Sequence, residues 1–285
     1  MKISGFTFIR NAQKFDYPIV EAITSILPLC DEMIVCVGNS VDDTLAMIEN
    51  IPTDKIKIIH SVWDDSLREG GRVLAIETDK AFDAVAADSD WAFYIQGDEV
   101  VHEKYLPVIR EAMEKYKDDK EVEGLLFNYL HFYGNYHYIG DSRDWYGREI
   151  RVIKNNKNIR SYRDAQGFRK FNKKLNVKPI DAAIYHYGWV KNPYLMNAKQ
   201  SNFQSLYREK ITLKADELYD YSSVKSLTLF DETHPQVMQS RINKQDWDFQ
   251  FDIKKKNFSF KDRLLYFIEK KTGKRLFDYK NYTII

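Results

Sequence analysis

Cysteine is scarce in this 285-residue sequence, which holds only Cys30 and Cys36. Two thiols are too few for a disulfide scaffold, and both sit in apolar surroundings, so they read as reduced core residues of a cytoplasmic protein. Long hydrophobic runs are missing too: no stretch reaches the ~18 apolar residues a spanning helix needs. The N-terminal Met1-Lys-Ile-Ser-Gly-Phe-Thr-Phe-Ile-Arg10 is too short and too soon charged for a secretory signal. Neither sign of charge is in excess: 43 basic residues face 42 acidic ones, for a formal net charge of +1. That balance argues against a nucleic-acid binder, which would carry a basic surplus. His60, His102, His131, His137 and His234 show no metal-ligand spacing, which disfavours a zinc hydrolase. Internal repeats, low-complexity tracts and linkers are absent as well.

What the chain does have is a globular balance of 44% hydrophobic and 30% charged residues, with 19 Tyr, 17 Phe and 5 Trp. This length supports a sizeable core in one large or two modest domains. The first ~130 residues alternate strand and helix patterns, as a mostly parallel α/β sheet requires. Strands are expected over 3–9, 33–37, 56–60, 91–95 and 125–132, the second apolar throughout, as for a strand covered on both faces. Ser40-Val-Asp-Asp43 has the form of a capping box and predicts a helix over 41–50. Leu74, Thr78, Phe82 and Val85 share one face of a helix expected over 71–87, and Leu106, Ile109, Met113 and Tyr116 one face of the next. Residues 133–140 read as a loop or irregular hairpin, and 149–153 and 183–190 as further strands. Asn192-Pro193 predicts a helix start, with Asn as N-cap and Pro at the first position, running to about Lys210.

The most telling segment is Trp91-Ala-Phe-Tyr-Ile-Gln-Gly-Asp98-Glu99, a short apolar strand ending in two carboxylates. Ligands of open α/β sheets bind beyond the carboxyl ends of strands, and an acidic pair there can hold a divalent cation that grips phosphate. Three other polar segments fall at strand ends or helix starts: Arg10-Asn11, Gly38-Asn39-Ser40-Val41-Asp42, and Glu69-Gly-Gly-Arg72. Together they supply what a nucleotide diphosphate needs.

This set resembles the family 2 glycosyltransferases, which have the GT-A fold. Ile34 to Thr44 is similar to that family's strand and Asp-rich turn, Trp91 to Glu99 to its aromatic strand ending in Asp-x-Asp, and Arg72 to its basic residue upstream. Arg151-Val-Ile, Asp164-Ala-Gln-Gly-Phe168 and Tyr185-His-Tyr-Gly-Trp189 resemble later landmarks of the bacterial subgroup that builds cell-surface polysaccharide. The resemblance covers about residues 1–190. It implies a GT-A-like catalytic domain over 1–190, with a nucleotide-binding half (1–132) and an acceptor half (133–190). A mostly helical extension would follow over 191–285. It implies inverting transfer of a sugar from a nucleotide-diphospho-sugar to a hydroxyl on a glycan or lipid-linked glycan. A Mn²⁺ or Mg²⁺ would sit on Asp98, with His186 completing the metal site. Arg10, Asn11, Asn39, Asp42, Arg72 and Gln96 would hold the nucleotide. Asp164 is the expected general base, with Asp144, Asp141 and Glu149 as rivals. The chain departs from the family at Val37-Gly38, where relatives carry Asp, and at Gln96, whose neutral amide lowers the expected metal affinity.

Two other classes fit the same residues: a catalytically silent nucleotide-binding module, and a nucleotidyltransferase. The segment 254–280 is locally basic, and Leu264, Leu265, Phe267 and Ile268 give it an apolar stripe. It reads either as a helix packed on the domain or as a peripheral contact with the inner face of a membrane.

Overall fold

The computed structural model describes residues 1–67, 69–207 and 218–285. The chain builds an α/β fold around one large sheet. Its strands are β1 (Ile3–Ile9), β2 (Glu32–Val37), β3 (Ile56–His60), β4 (Trp91–Tyr94), β5 (Glu99–Val101), β6 (Gly124–Tyr133), β7 (Tyr138–Gly140) and β8 (Arg148–Lys154), followed by β9 (Ile159–Tyr162), β10 (Gly167–Lys170), β11 (Lys173–Lys174), β12 (Asn176–Trp189), β13 (Leu227–Leu229) and β14 (Thr283–Ile284). The α-helices are α1 (Ile19–Ile26), α2 (Thr44–Glu49), α3 (Arg72–Asp83), α4 (Leu106–Tyr116), α5 (Pro193–Ser205), α6 (Gln239–Asn243) and α7 (Phe260–Thr272).

Strands β3, β2, β1 and β4 lie side by side and parallel. β8 then runs antiparallel between β4 and β6, and β6 continues parallel into β12. Strands β9, β10 and β11 form a separate antiparallel sheet. The parallel half follows from its side-chain pattern. Met33, Val35 and Val37 of β2 join Trp91 and Phe93 of β4 in one core layer with α1 and α4. Ile34, Cys36, Ala92 and Tyr94 point the other way, into a layer with Ala81 and Phe82 of α3 and Phe168 of β10. A strand buried on both faces needs apolar residues at every position, and these have them.

Helix α1 is passed over by the sequence reading, although Ile19, Ala22, Ile23 and Ile26 fall at i, i+3, i+4 and i+7 and are all fully buried. It packs so close to β1 that a Cβ on Gly5 would lie 2.5 Å from the Met33 sulfur and 3.2 Å from Ile26. The expected capping box is also corrected: α2 begins only at Thr44, after Asp43. Ser40 instead accepts a hydrogen bond from the Asn11 amide at 3.0 Å, and Asp42 accepts one from the Thr44 amide at 3.1 Å. At α5 the cap stands as read, since Asn192 accepts from the Tyr194 amide at 3.1 Å. The expected end of that helix, near Lys210, lies outside the described residues. Residues 133–140 form a hairpin, pairing Phe132 with Ile139.

The strand order places the site. The chain leaves β1 towards β2 on one side, and β4 is reached from β3 across β1, so a crevice opens beyond the carboxyl ends of β1 and β4. Residues 191–285 contribute α5 to α7 and two short strands, β13 and β14, that pair with β7 and β12.

Candidate active site

Beyond β1 and β4 lies a cleft of about 350 Å³. Its floor carries Arg10, Gln96, Gly97 and Asp98, one side carries Asp164, Gln166 and Arg151, and another carries His186 and Trp189 of β12. Lys199, Gln200, Asn202, Phe203 and Leu206, from α5 and the residue after it, close the remaining side.

The two carboxylates at the end of β4 face different environments. Glu99 is fully buried. It receives Arg151 Nε at 2.8 Å and Arg151 Nη2 at 2.7 Å, the Tyr129 hydroxyl at 2.7 Å and the Gln96 amide at 3.1 Å. Arg151 is itself flanked by the rings of Tyr94 and Tyr129, each 5.3 Å away. With both oxygens engaged in this way, Glu99 fixes the corner and is not free to ligate, which corrects the reading of the acidic pair as a joint cation site.

Asp98 turns to the cleft. Its Oδ2 accepts from Lys199 Nζ at 3.0 Å, and the same ammonium donates to the Gly188 carbonyl at 2.7 Å. Burial works to raise the Asp98 pKa, but Lys199 above all overrides it and holds the carboxyl well below the usual range. Burial likewise works to lower the Lys199 pKa, and Asp98 outweighs it. Lys191, which donates to the Asp16 carbonyl, is pushed down to about 7 by burial and then by Lys199. A Cβ on Gly188 would lie 2.7 Å from Asp98 Oδ2 and 2.6 Å from His186 Nε2, so the absent side chain keeps this corner open.

His186 pairs across strands with His131. His131 Nε2 lies 2.8 Å from the Tyr146 carbonyl and must donate to it, which leaves His131 Nδ1 as acceptor for His186 Nδ1 at 3.1 Å. His186 Nε2 is then a lone pair, 3.8 Å from Asp98 Oδ2. Burial lowers the pKa of both rings, well below the ordinary value for His131.

Of the expected nucleotide ligands, Arg10 and Gln96 line the cleft. Arg10 lies over the Trp63 ring at 4.3 Å and pairs with Asp65 at 2.9 Å. Gln96 donates to the Ala165 carbonyl at 3.2 Å. Asn11, Asn39 and Asp42 do not line it. Their side chains clasp the neighbouring loops: Asn11 accepts from the Val41 amide, Asn39 from the Trp63 amide and Asp42 from the Lys14 amide, at 2.9, 3.1 and 2.7 Å. Arg72 is exposed at the start of α3, outside the lining.

Among the expected bases, Asp164 lines the cleft and accepts from the Tyr207 hydroxyl at 2.6 Å. Asp144 is exposed, away from the lining, and pairs with Lys225 at 2.9 Å. Asp141 is held by Lys256, Lys270 and Tyr266 and ties α7 to the domain. Glu149 is buried outside the cleft, and burial pushes its carboxyl up to about 8.

The donor set around Asp98 falls short of what the expected Mn²⁺ or Mg²⁺ requires. It offers one carboxylate already paired with an ammonium, one neutral amide and one imidazole lone pair. Among the described residues no group of three His, Cys, Asp or Glu side chains is placed to hold a metal ion. A hard dication wants about six oxygen ligands, with charge among them. These residues, as they stand, do not fit it.

Sequence reasoning missed Lys199 and the rest of the α5 wall, Trp63, and the His131–His186 pair. The Asn192 cap marked the helix but not its partner, and no local pattern encodes a cross-strand register.

No protein-family model matches the chain, and no curated protein matches it. Among solved structures, it is similar to residues 1–349 of S. aureus TarS in complex with UDP, at 14% identity and a TM-score of 0.41, covering 70% of this chain and 63% of that one. Glucosyl-3-phosphoglycerate synthase from Mycobacterium tuberculosis, with Mn²⁺, UDP and phosphoglyceric acid, matches at 20% identity and 0.31, over 46% of this chain and 43% of that one. The 4-diphosphocytidyl-2C-methyl-D-erythritol synthase from Anaerococcus prevotii matches at 10% identity and 0.35, over 54% and 70%. This chain thus spans less than two thirds of the first two. At identities and scores this low, the reading of the site rests on its own residues.

Proposed function

We propose that this chain is a glycosyltransferase that moves a sugar from a nucleotide-diphospho-sugar to a hydroxyl, with inversion, on a GT-A-like fold. The observation that supports it best is the cleft at the β1/β4 crevice, which brings together the Asp98–Lys199 corner at one place and a second carboxylate, Asp164, held by the Tyr207 hydroxyl, at another. The nucleotide lies over the ends of β1 and β4, where Arg10, Trp63 and Gln96 line the wall. Asp164 takes the proton of the acceptor hydroxyl as its oxygen attacks the anomeric carbon and the bond to the diphosphate breaks. The diphosphate leaves into the basic corner, where fixed positive charge meets the charge that develops on it.

The acceptor is read as a glycan or lipid-linked glycan, and α7 supports work at a membrane surface. Phe260, Leu264 and Phe267 lie at i, i+4 and i+7, are 87%, 52% and 58% exposed, and stand beside exposed Lys261, Arg263 and Lys271. Nearby acids are already engaged: Glu269 by Arg143 at 2.9 Å, and Asp262 by Lys225 at 3.6 Å. An apolar stripe rimmed by exposed cations suits an anionic lipid surface. Cosedimentation with vesicles containing phosphatidylglycerol, but not with pure phosphatidylcholine, is the expected result. Equal recovery with both, or no change in Phe260→Ser/Phe267→Ser, removes this part of the reading.

The activity is tested by incubating the protein with a panel of UDP- and GDP-sugars and measuring released nucleoside diphosphate. Slow hydrolysis of at least one donor is expected. It should fall ~10²-fold or more in Asp164→Asn, with nucleotide affinity retained. Nucleotide binding without turnover of any donor would favour the silent module, and pyrophosphate release from a nucleoside triphosphate would favour a nucleotidyltransferase.

A further inference from the structure

We infer that Lys199 is the built-in cation of this site, and that the chain binds and releases its nucleoside diphosphate without a divalent metal. The inference rests on the nucleotide-sugar reading above and deepens it. Three observations carry it.

The first is position. Lys199 Nζ sits between Asp98 Oδ2 at 3.0 Å and the Gly188 carbonyl at 2.7 Å. These two oxygens, with His186 Nε2 beside them, form the place a bridging cation would take. An ammonium and a dication cannot share it. The second is charge. Among the described residues that line the cleft, Asp98 is the carboxylate that pairs with Lys199, and the neighbouring Glu99 is spent on Arg151. Against it stands the Lys199 ammonium, with Lys191 buried beside it and only partly charged near neutral pH, its pKa pushed down to about 7; both side chains flank the Tyr17 ring, at 4.9 and 5.2 Å. A dication added here would meet like charge at short range, whereas a diphosphate anion would meet opposite charge.

The third is anchoring. Lys199 stands mid-way along α5, whose start is fixed by the Asn192 cap, and it is almost fully buried. A preorganised donor of this kind stabilises a leaving oxyanion without reorganising at the moment of reaction. During transfer the sugar C1–O bond to the diphosphate breaks and its electron pair stays on the phosphate oxygen. Lys199 donates a hydrogen bond to that oxygen while Asp164 receives the acceptor's proton, so charge and protons balance with no further reactant.

The test is calorimetric titration of the whole protein with UDP, with GDP and inorganic pyrophosphate as parallel probes, in EDTA and again in 5 mM Mn²⁺ (about a 10³-fold excess over typical micromolar sites). The expected result is a nucleotide affinity in EDTA within about threefold of that in Mn²⁺, and a loss of tenfold or more in Lys199→Met. Thermal unfolding of Lys199→Met shows whether it is folded, and the wild-type comparison needs no variant at all. Binding that appears only with Mn²⁺, or that Lys199→Met leaves intact, overturns the inference while the transferase reading survives. Absence of binding by every probe under both conditions overturns the transferase reading and this inference together.

Discussion

Asp98 and Glu99 are neighbours in the chain, and the fold gives them opposite work. The Glu99 corner is closed: a guanidinium grips it with two nitrogens, a tyrosine and a backbone amide complete the set, and the side chain is fully buried. The Asp98 corner is held by one ammonium and opens on a cleft. Asp98 sits in the tight turn that precedes β5, whereas Glu99 opens that strand, so one carboxylate is built into the sheet and the other faces the cleft. The difference teaches that acidity at a strand end is not in itself a site. What marks a site is a charge whose partner can be shared with an incoming group.

The comparison breaks first at Arg151. Arg151→Met leaves Glu99 as a buried, unpaired carboxylate, and urea unfolding is expected to show a loss of ~3–5 kcal/mol. A loss under 1 kcal/mol would mean that the Glu99 corner is not architectural. Glu149 sharpens the contrast from the other side, because it is buried with no hydrogen-bond partner on Oε2. Burial raises its pKa to about 8, Arg151 countering only in part, from an unfolded value of 4.5. The folded state therefore keeps a proton that the unfolded state gives up. The stability this provides is complete below pH 4.5 and is lost as pH rises through 8. Glu149→Gln should be more stable than the parent at pH 8 by on the order of 2–3 kcal/mol, with the gap closing towards pH 5. A gap that does not change with pH would contradict this assignment.

Asp98→Asn comes next, with about 1 kcal/mol of stability lost, since Lys199 keeps the Gly188 carbonyl and access to the cleft. A stability loss matching that of Arg151→Met would erase the distinction between the two corners. The smallest effect is expected at Asp144, an exposed partner of Lys225. Asp144→Ala should change stability by less than ~0.5 kcal/mol and leave donor hydrolysis intact, and a clear loss of hydrolysis would return Asp144 to the list of bases.

Much of the parallel half was legible because its signals are local. The β1 and β3 limits agree with the reading residue for residue, and the alternation of β4 sorts Trp91 and Phe93 from Ala92 and Tyr94 without any long-range information. The α/β class followed from the same alternation of strands and helices. The cleft-lining residues on those strand ends, Arg10, Gln96 and Asp98, were legible for the same reason. The loop residues Asn11, Asn39 and Asp42 were not, because a side chain that clasps a neighbouring loop has the same composition as one that awaits a ligand. Lys199 was invisible from sequence, as its partner lies 101 positions away and only the tertiary fold brings the two together. His131 and His186 met through the β6–β12 register, which has two irregularities and no sequence signature.

The most direct measurement is a crystal soaked with UDP in EDTA. The account predicts the diphosphate in the β1/β4 crevice, with a phosphate oxygen within hydrogen-bond reach of Lys199 and the base towards Trp63. A nucleotide bound elsewhere on the surface, or one seated there only after Mn²⁺ is added between Asp98 and His186, would contradict it.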